Sequence, residues 1–217
     1  MLGASRESLT TLRASLDARR VEPGFDAVSG DLLAVVTVLG REKSLRQALA
    51  DAGQPAGARA GIATSLFSGK ISELATTVLA DVVSQRWSNA DDLVDGLEQL
   101  AAQAAFTVAE TDGSLDRVED ELFTFGRAVD TSPDLQLALT DPSLPNVHKA
   151  QLVRDLVSGQ ASATTATLVS HVAANLRGRR PAAAVEELAM LPSMTSSPTR
   201  ATMPPTTSGS TTTLTRT

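Results

Sequence analysis

Two stretches decide how this sequence is read: LRQALADAGQPAGARAGIATSLFSG, residues 45–69, and LQLALTDPSLPNVHKAQLVRDLVSG, residues 135–159. Laid over each other without a gap, they match at Leu45 and Leu135, Ala48 and Ala138, Leu49 and Leu139, Asp51 and Asp141, and Pro55 and Pro145. The matching continues through Leu66 and Leu156, Ser68 and Ser158, and Gly69 and Gly159, always 90 positions apart. Apolar letters coincide easily by chance; Asp, Pro and Gly at one offset do not. The register extends outward, with Val28, Leu32, Val35 and Leu39 falling on Val118, Leu122, Phe125 and Val129, and Val78, Leu79 and Val82 on Leu168, Val169 and Val172. A period this long exceeds the roughly 20 to 50 residues of a solenoid unit and describes a duplicated helical domain.

The apolar spacing is helical throughout, and no β-alternation of useful length appears. Leu9, Leu12 and Leu16 form the stripe of a first helix capped at Ser5, and a second, about 27–39, ends near Gly40, where a left-handed residue is expected. Short helices follow at 44–51 and 55–67, and Ser72 caps a fifth that Trp87 closes. Asn89 with Asp91 and Asp92 is a strong N-terminus, because the amide oxygen takes an orphan N–H and the carboxylates oppose the helix dipole. The helix it starts, about 90–110, falls in both copies of the repeat. The expected fold is therefore all-α: two tandem six-helix-type bundles, 1–105 and 95–191, sharing that long helix. Further helices are expected near 115–130, 133–140, 146–157, 162–176 and 181–191. Residues 192–217 are rich in Ser, Thr and Pro and too poor in apolar side chains to offset the entropy of ordering, so a disordered tail is expected there.

Composition narrows the function. Hydrophobic residues make up 42% and aromatics 3%, so the core is built from Leu, Val and Ala. A formal charge of −6 disfavours nucleic acid, whose binding needs a basic face. With no Cys there is no disulfide, thiolate nucleophile or Cys-ligated metal. No segment approaches the roughly 20 apolar residues of a membrane span, and Arg6, Glu7 and Arg13 interrupt the N-terminus too soon for a signal peptide.

Catalytic patterns are missing as well: there is no Gly-rich phosphate loop, dinucleotide fingerprint, zinc-protease helix or nucleophile elbow. His148 and His171, the two histidines, fall on different helices and read as one surface and one packing residue. Glu119, Asp120 and Glu121 are consecutive on a helix and read as a solvated face. Arg177, Arg179 and Arg180 follow a helix C-terminus, where cations oppose the dipole, with anion or partner binding as the second reading. Trp87 reads as a partly buried core residue, or else an interface anchor. No catalytic, cofactor-binding or metal-binding residue is expected.

The second copy resembles the helical domain of the ATP synthase delta subunit, the bacterial counterpart of the oligomycin-sensitivity-conferring protein. The resemblance rests on Ala104-Ala105-Phe106 and Ala109, Leu135 and Leu139-Thr140-Asp141-Pro142, Lys149 with Leu152, Val153 and Leu156, and Leu168 with Asn175-Leu176-Arg177-Gly178-Arg179. It covers most of residues 95–191. The first copy resembles the additional helical domain of longer family members. The resemblance implies a non-catalytic stator subunit, peripheral on the cytoplasmic face of the bacterial membrane, whose bundle binds the helical N-terminus of an alpha subunit. The family's following α/β domain grips the peripheral-stalk b subunit; here the Ser/Thr-rich tail stands in its place, which leaves stalk attachment open. In the family the alpha helix lies against bundle helices one and five, about 95–110 and 162–176 here. That places Ala102, Ala105, Phe106 and Ala109 on one groove wall and Leu168, Val169 and Val172 on the other, with core filling as the competing role. The alternative function is a helical adaptor unrelated to ATP synthase.

Overall fold

The computed structural model describes Met1 and residues 3–195. Within them the chain forms eleven helices: α1 Ala4–Ala18, α2 Phe25–Arg41, α3 Lys43–Ala50, α4 Ala56–Phe67, α5 Glu73–Ser84, α6 Ala90–Thr111, α7 Leu115–Thr131, α8 Pro133–Thr140, α9 Asn146–Val157, α10 Ala163–Ala174 and α11 Pro181–Thr195. The described residues contain no strand, in agreement with the all-α expectation.

The helix ends have local causes. Asn89 Oδ1 accepts the Asp92 N–H at 2.8 Å and starts α6, while Ser72, Ser132 and Ser162 cap α5, α8 and α10 through their hydroxyl oxygens. Gly69 and Gly159 take φ of 74° directly after α4 and α9, a conformation costly for any residue with a Cβ. Four expectations are corrected. Gly40 lies inside α2, which runs on to Arg41, and Glu42 alone makes the turn into α3 without a left-handed residue. Gly3, not Ser5, precedes α1; Ser5 is buried and accepts the Ser88 N–H at 2.8 Å. Trp87 lies beyond the end of α5 at Ser84, in the turn before α6. The last helix continues through Pro192, which has no N–H to give the carbonyl four residues back. The expected tail lies, from residue 196 onward, outside the described residues.

The duplication is visible in the packing. α2 lies against α6 as α7 lies against α11; α4 pairs with α5 as α9 pairs with α10; α2 meets α5 as α7 meets α10; α1 meets α6 as α6 meets α11. Hydrogen bonds repeat too. Arg46 reaches back to the Leu39 carbonyl at 3.0 Å and Gln136 to that of Val129 at 2.9 Å. The Asp51 carboxylate holds the Gly53 N–H at 2.9 Å, and Asp141 holds that of Ser143 at 2.8 Å. Equal apolar positions demand equal partners, and here they have them. One hydrophobic cluster runs through both halves, with α6 contacted by α1, α2, α3 and α5 from one copy and by α7, α10 and α11 from the other.

Candidate functional site

A cleft of about 450 Å³ opens between α6 and the α10–α11 segment, bordered by Asp95, Glu98, Gln99, Ala102, Val172, Arg179 and Glu187. Its polar wall is organised by Glu98, which α6 presents to the loop after α10. Arg177 donates to Glu98 and also pairs with Asp95 at 2.7 Å; Arg179 donates to both Glu98 oxygens at 3.1 Å and pairs with Glu187 at 3.5 Å. Arg179 further holds the carbonyls of Leu176 and Asn175, each at 3.1 Å. Arg177 and Arg179 therefore tie the loop between α10 and α11 to α6, and Arg179 also holds carbonyls at the C-terminal end of α10, where a cation opposes the helix dipole. Arg177 adopts φ 48° to reach α6, in the left-handed region that residues with a Cβ avoid.

His171 faces the same carboxylate from α10, with Nε2 3.6 Å from Glu98 Oε1. That separation exceeds a hydrogen bond. Burial, with the Arg177 and Arg179 charges behind it, lowers the His171 pKa to about 4, so the imidazole is neutral at pH 7 and no ion pair forms. Burial also pushes the Asp95 carboxyl up, opposing the pull of Arg177.

The seven residues expected on the partner groove, Ala102, Ala105, Phe106, Ala109, Leu168, Val169 and Val172, are all buried. Ala102 and Val172 reach the cleft wall from opposite helices; Ala105, Phe106, Ala109, Leu168 and Val169 pack into the common core. At these five the side chains are closed in among the described residues, because helices of both copies cover α6. His148 is exposed, while the His171 side chain is 7% exposed, matching the expectation of one surface and one packing histidine. Trp87 is a core residue whose Nε1–H bonds the Val82 carbonyl at 2.9 Å. Sequence reasoning missed Glu98 and misread Glu121, which turns inward from an otherwise solvated face to bond Ser162 and Thr165. The available signal for Glu98 was a charged residue at helical spacing from Val94, Ala101, Ala102 and Ala105, on a face otherwise apolar and small.

Among the described residues no cluster of His, Asp or Glu could hold a metal, and no helix is long and apolar enough to cross a membrane. What the fold and the cleft define is a tandem helical-bundle protein whose buried charges hold loops in place. Residues 97–197 match the family described as ATP synthase delta (OSCP) subunit. The ATP synthase subunit delta of Streptomyces avermitilis is 43% identical over 191 residues, covering 87% of this chain and 70% of that protein. Its counterpart in a Parafrankia species is 43% identical over 185 residues, covering 81% and 66%, and that of Streptomyces coelicolor 41% over 193 residues, covering 88% and 70%. These alignments are longer than the family match alone, so they extend into the first copy. The chain belongs to the ATP synthase delta (OSCP) subunit family, and it spans roughly two thirds of the length of these relatives.

Proposed function

We propose that this chain is a non-catalytic stator subunit of the F-type ATP synthase, associated peripherally with the cytoplasmic face of the bacterial membrane through the rest of the complex. The observation that carries the reading is identity above 40% to subunits delta across both helical copies. In this reading the chain comprises two six-helix units, 1–105 and 95–191, whose shared helix α6 fixes one against the other. The second unit holds the helical N-terminus of an alpha subunit; the b subunit, gripped in the family by a following α/β domain, is no part of this reading. Of the seven groove residues, Ala102 and Val172 border the cleft, and in this reading they touch an alpha helix laid over it. The other five support that wall from beneath.

The test is a pull-down of the catalytic head by the full chain, with and without the alpha N-terminal helix. Capture that disappears when that helix is removed supports the reading. Capture unaffected by the deletion sinks the alpha assignment, and no capture at all sinks the stator role.

A further inference from the structure

Because the two copies are built alike, each exposed face has an internal control. On the first copy, α2 presents Gly30, Leu33 and Thr37 to a seam cleft whose far wall is α9 and α10 of the second copy, and Leu33 is 6% exposed there. Ninety positions on, the same face of α7 presents Asp120, Phe123 and Arg127 to a groove shared with α11. Nothing among the described residues covers it. Phe123 is 62% exposed and Met190 on α11 is 54% exposed, whereas their equivalents Leu33 and Leu100 are buried. The two copies are thus set head to tail, the α2 face of one turned toward the α9–α10 pair of the next across this cleft, with Asn175 Oδ1 3.8 Å from where a Cβ on Gly40 would stand. A contact of that kind does not close, and it leaves one copy of the face unpartnered.

We propose that the groove between α7 and α11 is a docking site for a basic amphipathic helix of another polypeptide. The groove holds about 490 Å³, and its floor is shallow and apolar: Gly126 lies close against Val185, and Ala182 and Ala189 line the α11 side. An incoming helix can therefore set large side chains against Phe123 and Met190 at helical spacing. The rim selects the charge. Glu119, Asp120 and Asp130 on α7 and Glu186 on α11 have no ion-pair partner among the described residues, and the cation between them, Arg127, sits 5.8 Å above the Phe123 ring. Four carboxylates against one arginine favour Lys or Arg flanking the apolar stripe of the partner.

A second copy of this chain is the poorer occupant. The elements equivalent to α9 and α10 are α4 and α5, and at the seam positions they offer Thr77, Ala80, Asp81 and Ser84, with Thr64 where α9 carries Arg154. Self-association would set Asp81 toward an acidic rim, and the cation beside it, Arg19, is already taken up by Asp81 at 2.8 Å. The inference goes beyond the stator reading and does not depend on which complex the chain serves.

The experiment is a selection of displayed 16-residue helices on the full chain, counter-selected on Phe123→Asp, a change at an exposed position that leaves the core intact. The expected winners carry apolar residues at i, i+3 or i+4 and i+7, with Lys or Arg beside them. A synthetic winning peptide is expected to lose at least tenfold in affinity against Phe123→Asp and against Glu119→Lys combined with Glu186→Lys, and to weaken as salt rises. Ile62→Asp, on the exposed face of α4, is expected to change nothing. Winners that are acidic, that bind Phe123→Asp equally, or an absence of Phe123-dependent winners each overturn the proposal. A concentration-dependent dimer dissolved by Phe123→Asp overturns it in favour of a second copy.

Discussion

The Glu121 carboxylate accepts the backbone N–H of Ser162 at 2.8 Å, joining the middle of α7 to the first turn of α10. The same bond exists ninety positions earlier, where Asp31 on α2 accepts the Ser72 N–H at 2.8 Å ahead of α5. In both copies, then, an acidic side chain crosses between helices to satisfy an orphan amide and to place negative charge where the helix dipole favours it. The second copy adds a contact: Thr165 donates to Glu121 at 2.6 Å, whereas Ala75 occupies the equivalent place in the first.

Unequal consequences are expected from deleting the two carboxylates. Glu121→Ala strands an amide and a buried hydroxyl and should cost about 2–3 kcal/mol, against about 1 kcal/mol for Asp31→Ala. Burial raises the Glu121 pKa, but the bonds from Thr165, Ser162 and Arg117 outweigh it and hold the group at about 2, below the ordinary 4.5. A depressed carboxyl stabilises the fold above its unfolded pKa, and that contribution is lost as pH falls from about 4.5 toward 2. Urea titrations at pH 7 and pH 3 check both points. Equal losses for the two variants at pH 7, or a Glu121→Ala loss that persists undiminished at pH 3, would contradict the assignment.

His171 should weaken the protein at mildly acidic pH. With a folded pKa of about 4 and an ordinary value of 6.5, the unfolded chain binds the proton first, so stability is full above about pH 6.5 and falls as pH drops toward 4. Replacing it by Gln removes this titration. Thermal melts of the two proteins between pH 7 and pH 5 should diverge in slope, with His171→Gln the flatter. Parallel curves would mean that His171 protonates without penalty.

Much of the fold was legible because it is repeated: Pro55 and Pro145, or Gly69 and Gly159, mark the same helix ends twice, so each copy confirms the other. The Ser72 cap and the Asn89 start are local bonds between residues three apart, which sequence displays directly. The cleft was less legible because its chemistry is long-range. Glu98 meets Arg177 and Arg179 about eighty residues away, and nothing local in either stretch announces the pairing. The burial of the groove residues was hard to read for a related reason. Helical spacing tells which residues share a face, but the face of α6 toward Phe106 is covered by whichever helices arrive later. Phe123 illustrates the converse: its helical position matches buried Leu33, which faces α9 and α10 across a cleft, but no further helix pair among the described residues stands opposite Phe123.

Among the glycines, Gly96 on α6 leaves the least room for a Cβ. A Cβ placed there would stand 2.3 Å from Cη2 and 2.7 Å from Cζ3 of Trp87, a ring that is itself buried and bonded through Nε1. Helix propensity alone would make Gly96→Ala favourable by about 1 kcal/mol. Overpacking should outweigh that gain and leave a net loss of about 1–3 kcal/mol. Adding Trp87→Leu, which removes the ring, should make the pair of changes less than additive. The chain has one Trp, so its fluorescence follows unfolding of the single variant directly. A Gly96→Ala protein as stable as the parent would refute the contact.

Arg177 allows the strain and the ion pair at the cleft to be separated. Its backbone at φ 48° costs a residue with a Cβ about 1 kcal/mol relative to Gly. The cost is borne because the guanidinium then spans Asp95 and Glu98, anchoring the α10–α11 loop to α6. Arg177→Ala loses the pairs and keeps the strain, whereas Arg177→Gly loses the pairs and releases it. The Gly variant should therefore be the more stable of the two by about 1 kcal/mol. Glu98→Gln tests the other side of the network. The carboxylate is buried, but Arg177 and Arg179 are 25% and 28% exposed, so the loss should lie between the roughly 1 kcal/mol of a surface pair and the about 3–5 kcal/mol of a fully buried one. Chemical denaturation of the three variants decides the matter. Equal stability of Arg177→Ala and Arg177→Gly would show that the turn is not strained, and a Glu98→Gln change within error of zero would show that the loop is held by packing alone.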